Sequence, residues 1–113
     1  MEIIKNKINI KTLEKMSEKM YGGLVKAVVD IEREIMVVDA ELHADELEFI
    51  LDNGSTQENV WGINIHPTET GDDFIEFDSM INIRPQQNNR SRSVEDTGIQ
   101  EKILKITNKL IEL

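Results

Sequence analysis

Residues 73–92, DFIEFDSMINIRPQQNNRSR, are the stretch whose reading decides the fold. Ile75, Phe77, Ile81 and Ile83 fall on one side of an extended chain, with Ser79 between them, while Glu76, Asp78, Asn82 and Arg84 fall on the other around Met80. Side chains of a strand point alternately to opposite faces, so the segment reads as a half-buried strand, or as two short strands broken near Asp78 and Ser79. A helix would scatter Glu, Asp and Arg among the isoleucines. From Arg84-Pro85 onward the composition turns to Gln, Asn, Ser and two further arginines, which is loop chemistry.

Upstream, residues 60–66 form a second alternating run with Trp61, Ile63 and Ile65 on one side and Asn64 and His66 on the other. The intervening residues 67–72 have hairpin-loop composition. Matching the apolar sides sets Ile65 opposite Ile75 and Ile63 opposite Phe77, with Asn64 beside Glu76 and Gly62 beside Asp78. Residues 24–43 are rich in Val and Ile and read as strands 24–32 and 35–43 turning at Arg33-Glu34, although that dipeptide is poor turn chemistry. A helix continuing to about Ile31 is the competing reading, against which Gly22-Gly23 stand, since glycine inside a helix costs about 1 kcal/mol. The second strand would bury Met36, Val38, Ala40 and Leu42 and show Val37, Asp39, Glu41 and His43.

Helical periodicity marks three further segments. Leu13, Met16 and Met20 follow a Thr12 cap with Glu14 in the first turn; Asp45 and Glu48 have capping-box spacing before Leu47, Ile50 and Leu51; and Thr97 with Gln100 opens a last helix over residues 98–112 through Ile99, Ile103, Ile106 and Leu110. Residues 2–10 suit a lysine-bearing edge strand. The pattern predicts one domain over residues 1–113. Its class is α+β, a two-layer, mostly antiparallel four- to five-stranded sheet with three helices on its apolar face.

Composition narrows the function classes. The 113 residues contain no cysteine, which excludes disulfides and thiolate metal sites. No apolar run approaches a membrane span and no signal segment is evident, so a cytoplasmic protein is expected. The net charge of −9 divides into −11 over residues 1–83 and +2 over residues 84–113. The acidic body argues against non-specific nucleic-acid binding.

The second sheet face would collect Glu41, His43, Asn64, His66, Glu76, Asp78, Asn82 and Arg84, and the bland reading is a solvated face. A divalent-metal reading uses Glu41, His43, Glu76 and Asp78, and Asp45 is next in line. An anion-pocket reading centres on Arg84, with Asn89 and Arg92 from the following loop and Asn64 and Trp61 nearby, because guanidinium grips carboxylate or phosphate bidentately. Combined, His43 and Asp78 beside an arginine would suffice for acid/base work on a small phosphorylated or carboxylated substrate. No nucleophile motif, Gly-rich phosphate loop or HExxH helix names a reaction, so catalysis stays open. The preferred expectation is a binding module for a small anionic ligand or a partner protein, centred on residues 84–92, acting as a homodimer.

ELHAD (residues 41–45), GSTQENVWGIN (54–64) and IEFDSMINIRPQQNNRSRSVED (75–96) resemble the signature of a family of small uncharacterised prokaryotic proteins, a domain of unknown function. The similarity spans roughly residues 12–110. It implies a stand-alone prokaryotic protein with recurring His43, Trp61, Asn64, Arg84 and Asn89, and it carries no catalytic roles. The chain departs from that pattern at Val38-Asp39-Ala40, where small residues, often glycine, are expected.

Overall fold

The expected hairpin forms despite its unpromising turn. A computed structural model describes residues 1–20 and 22–113. In it β3 (Val25–Asp30) pairs antiparallel with β4 (Ile35–Val38). Asp30 supplies the missing turn chemistry: its carboxylate accepts from the backbone N–H of Glu32 at 2.9 Å and of Arg33 at 3.0 Å, and Glu34 takes the left-handed φ of 55°. Around this hairpin β1 (Glu2–Ile4), β5 (Val60–Ile65) and β6 (Ile75–Glu76) complete an antiparallel five-stranded sheet of order β1-β4-β3-β5-β6. The short N-terminal strand is an edge, and the lysines that suggested one, Lys5 and Lys7, lie just after it. A second, parallel pair was not foreseen: β2 (Ile8–Asn9) runs beside β7 (Ile111–Glu112) and ties the chain's two ends together.

Both faces of the sheet carry apolar side chains. Val25, Ala27, Val29, Met36, Val38, Trp61, Ile63 and Ile65 face α1 (Ile10–Glu18) and α3 (Thr97–Leu110), meeting Leu13, Met16, Ile103, Ile106 and Leu110. On the reverse, Val28, Ile35, Val37 and Val60 pack against Ile50 of α2 (His43–Asp52). The α+β class, the antiparallel sheet and the three helices therefore stand. The helices divide two to one over its faces, because β3 and β4 are apolar at both parities and must be covered on both sides. Val37 is accordingly buried, and β4 stops at Val38. Glu41 lies outside any strand, and His43 is the first residue of α2.

The helix starts differ from the expected caps. Asn9 caps α1 through Lys11 N–H at 2.8 Å, in place of Thr12. Asp96 caps α3 through Gly98 N–H at 2.8 Å and Ile99 N–H at 3.1 Å, in place of Thr97. Gln100, freed from a capping box, donates to the Val94 carbonyl at 2.6 Å. The N-cap of α2 is Leu42, whose side chain cannot accept, and the Asp45–Glu48 box falls inside the helix.

The deciding segment keeps the expected register only briefly. Asn64 pairs with Glu76 and Ile65 with Ile75, after which the chain leaves the ladder. Gly62, expected beside Asp78, is met by the Asn82 side chain. Gly62 N–H donates to Asn82 Oδ1 at 2.8 Å, and Asn82 Nδ2 donates to the Gly62 carbonyl at 3.0 Å. A carboxamide carries the same donor and acceptor as a peptide group, so Asn82 substitutes for a strand residue. The approach is close enough to require glycine: a Cβ at position 62 would lie 2.7 Å from Ser79 Cβ. Residues 77–92 are thus not a strand but 3₁₀ turns, Met80–Asn82 and Pro85–Gln87, followed by a loop.

Candidate functional site

Where β6 ends and α2 begins, the reverse face is left partly uncovered. A cleft of about 530 Å³ opens there between the start of α2 and residues 76–81. Its polar lining is Lys26, His43, Asn64, Glu76, Asp78 and Arg92, and Leu42 and Met80 stand exposed on its rim at 54% and 65%. Sheet register sets three of these in line: Lys26 faces Asn64 across β3 and β5, and Asn64 faces Glu76 across β5 and β6. Neighbouring strands lie about 4.8 Å apart, so cation, amide and carboxylate span roughly 10 Å.

Each polar group is held by identifiable partners. Asn64 Nδ2 donates to Glu76 Oε1 at 3.0 Å and to the Asp78 carbonyl at 3.1 Å, whereas its buried Oδ1 receives no donor. Two acceptors on one side of the amide fix which way it points. Glu76 also contacts His66 Nε2 at 3.2 Å, and the hydrogen bonds from Asn64 and His66 hold its carboxyl below the usual range. Arg92 Nε donates to Asp78 Oδ1 at 2.6 Å at the solvent-facing side.

His43 is buried, with Nε2 2.7 Å from the Ile63 carbonyl. Burial lowers its pKa and Lys26 and Arg92 act in the same direction, against the opposing pull of the Ile63 carbonyl and Asp78. The ring is neutral at pH 7. Since only a donor can face a carbonyl, Nε2 carries the proton and Nδ1 is the acceptor. This bond also pins the start of α2 over the middle of β5.

The arginine placed at the centre of the expected anion pocket is elsewhere. Arg84 is 5% exposed and does not line the cleft. Its Nε donates to the Ile81 carbonyl at 3.0 Å, Nη1 to the Gln57 carbonyl at 2.7 Å, and Nη2 to the Val60 carbonyl. The guanidinium carbon lies 4.6 Å from the centroid of Trp61, itself a core residue at 1% exposure. A cation so placed has its donors spent on backbone and holds the loop to β5. Asn89 is likewise internal, with Nδ2 2.7 Å from the carbonyls of both Asn82 and Ser93. The loop's free backbone donors are taken as well: Glu95 Oε2 accepts from Arg90 N–H at 2.9 Å and Ser91 N–H at 2.8 Å, which fills the place an external anion would occupy. Of Arg84, Asn89, Arg92, Asn64 and Trp61, only Asn64 and Arg92 reach the cleft.

Three of the four expected metal ligands, His43, Glu76 and Asp78, line the cleft. Among the described residues no three His, Cys, Asp or Glu are placed to hold an ion, and Glu41 lines hollows beside Ala40 instead of this cleft. The sequence reading missed two groups that matter here, Lys26 and Glu46. Glu46 is 0% exposed on the sheet-facing side of α2, and neither carboxyl oxygen has a donor at hydrogen-bond geometry; burial pushes its pKa up to about 10, against the weaker opposing pull of the nearby Ala40 N–H and of Lys26. The signal was the i, i+3 spacing of His43 and Glu46, which shares a helix face with Ile50 once the helix starts at residue 43.

Fold and cleft together define an α+β protein with one antiparallel five-stranded sheet and, over it, a cleft lined by apolar and charged side chains together. The chain belongs to the family described as protein of unknown function (DUF5674), which it matches over residues 2–110. No curated protein and no solved structure matches the chain. Among the described residues, no helix is long and apolar enough to cross a membrane.

Proposed function

We propose that this protein is a small binding module that takes the anionic group of a small ligand at the start of α2, with Lys26 and Arg92 as the neighbouring cations. One observation carries the reading. The first turn of α2 has no side-chain cap, and its residues His43 and Ala44 line the same cleft as Lys26 and Arg92. Uncapped helix N–H groups together with the helix dipole favour an anion. Of the two arginines expected to flank such a site, Arg92 is retained and Arg84 is replaced by Lys26. The test is a backbone amide NMR titration with inorganic phosphate and with acetate. Saturable shifts at residues 43–45 are expected, weakened about three- to tenfold by Lys26→Ala and by Arg92→Ala. Shifts confined to Arg90 and Ser91, or a linear response without saturation, would sink the reading.

The neutral His43 ring supports a second reading, in which Nδ1 serves as a base toward a bound substrate whose negative group meets Arg92, itself held by Asp78. His43→Gln separates the two: turnover of any substrate found would collapse, whereas a pure binder would keep its ligand.

A further inference from the structure

The cleft offers more than an anion site, and the surplus specifies a ligand class. Asn64 is 6% exposed and is one of the residues lining the cleft, and its Oδ1, itself buried, is an acceptor with no donor. Its Nδ2 is held by Glu76 and Asp78, so the amide cannot turn to present a donor in its place. A buried acceptor left unmet costs free energy that a ligand N–H would recover. Next to it stands the Glu76 carboxylate, and on its other side the Lys26 ammonium. One end of the row therefore suits a negative group and the other a positive donor. Above the row, Leu42 and Met80 expose apolar surface at the rim of a cavity of about 530 Å³.

We infer that the ligand is a free amino acid with an apolar side chain. Its carboxylate sits at the start of α2 beside Lys26, its ammonium donates to Asn64 Oδ1 and faces Glu76, and its side chain lies between Leu42 and Met80. The inference rests on the anion-binding reading of the same cleft and adds the ammonium subsite. The carboxylate and ammonium of an α-amino acid lie on one carbon, and Lys26 and Asn64 face each other across adjacent strands, so both groups are met at once.

Three probes sharing one carbon skeleton test it: L-leucine, 4-methylpentanoate, which lacks the amine, and 3-methylbutylamine, which lacks the carboxylate. Affinities are read by amide NMR titration at residues 43–45 and at the Asn64 side chain. Leucine is expected to bind about tenfold or more tighter than either fragment, the effect of one charge-assisted hydrogen bond made or lost. Asn64→Leu, and Glu76→Gln at the exposed sheet edge, are expected to bring the ratio of leucine to 4-methylpentanoate affinities close to one. Because Glu76 is exposed, its variant keeps the test valid if Asn64→Leu disturbs the fold. Equal binding of leucine and 4-methylpentanoate to the wild-type chain would overturn the ammonium subsite and leave the anion reading intact. Binding of phosphate with no response to leucine would do the same. Binding of the amine alone as tightly as leucine would overturn both, as would silence toward every probe including phosphate.

Discussion

Replacing Glu46 by Gln should flatten the alkaline side of the stability profile. Burial raises the Glu46 carboxyl from an ordinary 4.5 to about 10. Over that interval the native state holds a proton that the unfolded chain has released. Its stabilising effect is complete below 4.5 and is lost as pH climbs toward 10, at ~1.4 kcal/mol per pH unit. The groups facing it are Lys26 and the N-terminal amine, which favour the carboxylate, and Asp39, which opposes it. Between pH 7 and pH 9 the expected loss is about 3 kcal/mol, a Tm drop of roughly 10 °C for a domain of this size. Comparison with a variant at position 46 cancels the contributions of the other shifted groups, among them Arg84, whose guanidinium burial holds below its usual value. His43 is held neutral, so it removes stability only as pH falls below 6.5. The lowered carboxyls of Glu76 and Glu95 act only as pH falls through 4.5 and below. Urea and thermal unfolding followed by far-UV circular dichroism at pH 7, 8 and 9 measure the slope. Glu46→Gln keeps the side chain's shape and cannot titrate, so its midpoint should be nearly level. Its absolute stability is a separate matter, since the amide also lacks partners, and only the slopes are compared. Parallel slopes for the two proteins would refute the burial argument.

Two further outcomes follow from the segment that decides the fold. Gly62→Ala puts a methyl 2.7 Å from Ser79 Cβ and should destabilise by about 1–3 kcal/mol in urea unfolding, with a cost below about 0.5 kcal/mol counting against the close approach. Arg84→Lys removes the fork that reaches the Ile81, Gln57 and Val60 carbonyls and the flat contact with Trp61, so a loss of about 3 kcal/mol is expected, with phosphate affinity of the folded protein unchanged. An unaltered midpoint with lost phosphate binding would return Arg84 to the site.

Period-two patterning made much of the sheet legible. Trp61, Ile63 and Ile65 can share one face only in a strand, and they fixed the pairing of Ile65 with Ile75 as the structure has it. The same rule misled beyond Glu76. Phe77, Ile81 and Ile83 keep the strand's spacing, but Ile83 is 40% exposed and the backbone there is turned. What replaces the ladder is a side chain, and no hydrophobic pattern encodes the carboxamide of Asn82 standing in for a peptide. Charge misled in a related way. Arg84 looked available because arginine is usually exposed, yet carbonyls freed by the broken ladder and by a turn absorb it. Glu46 escaped notice because Asp45 was expected to cap that helix; with the helix starting at His43, Glu46 shares a buried face with His43 and Ile50. The loop was expected to offer donors to an anion; that Glu95 takes the backbone ones at Arg90 and Ser91 depends on how the loop closes on itself.

These misses and the cleft have a common cause. A β6 running on to residue 84, as its alternation suggested, would continue the sheet along β5 past Gly62, where the turn Met80–Asn82 now lies. Asn82 ends the ladder at Gly62 instead, and the chain turns away after Glu76. On the facing side, α2 begins at His43, whose ring is fixed to the Ile63 carbonyl, and Leu42 leaves its first turn uncapped. Asn64 lies between these two events, with Lys26 and Glu76 as its cross-strand neighbours. The opening is therefore a product of where two elements stop, and both stops depend on side chains bonded to β5 backbone. Residues such as Asn82 and His43 position the site without any need to touch what it holds.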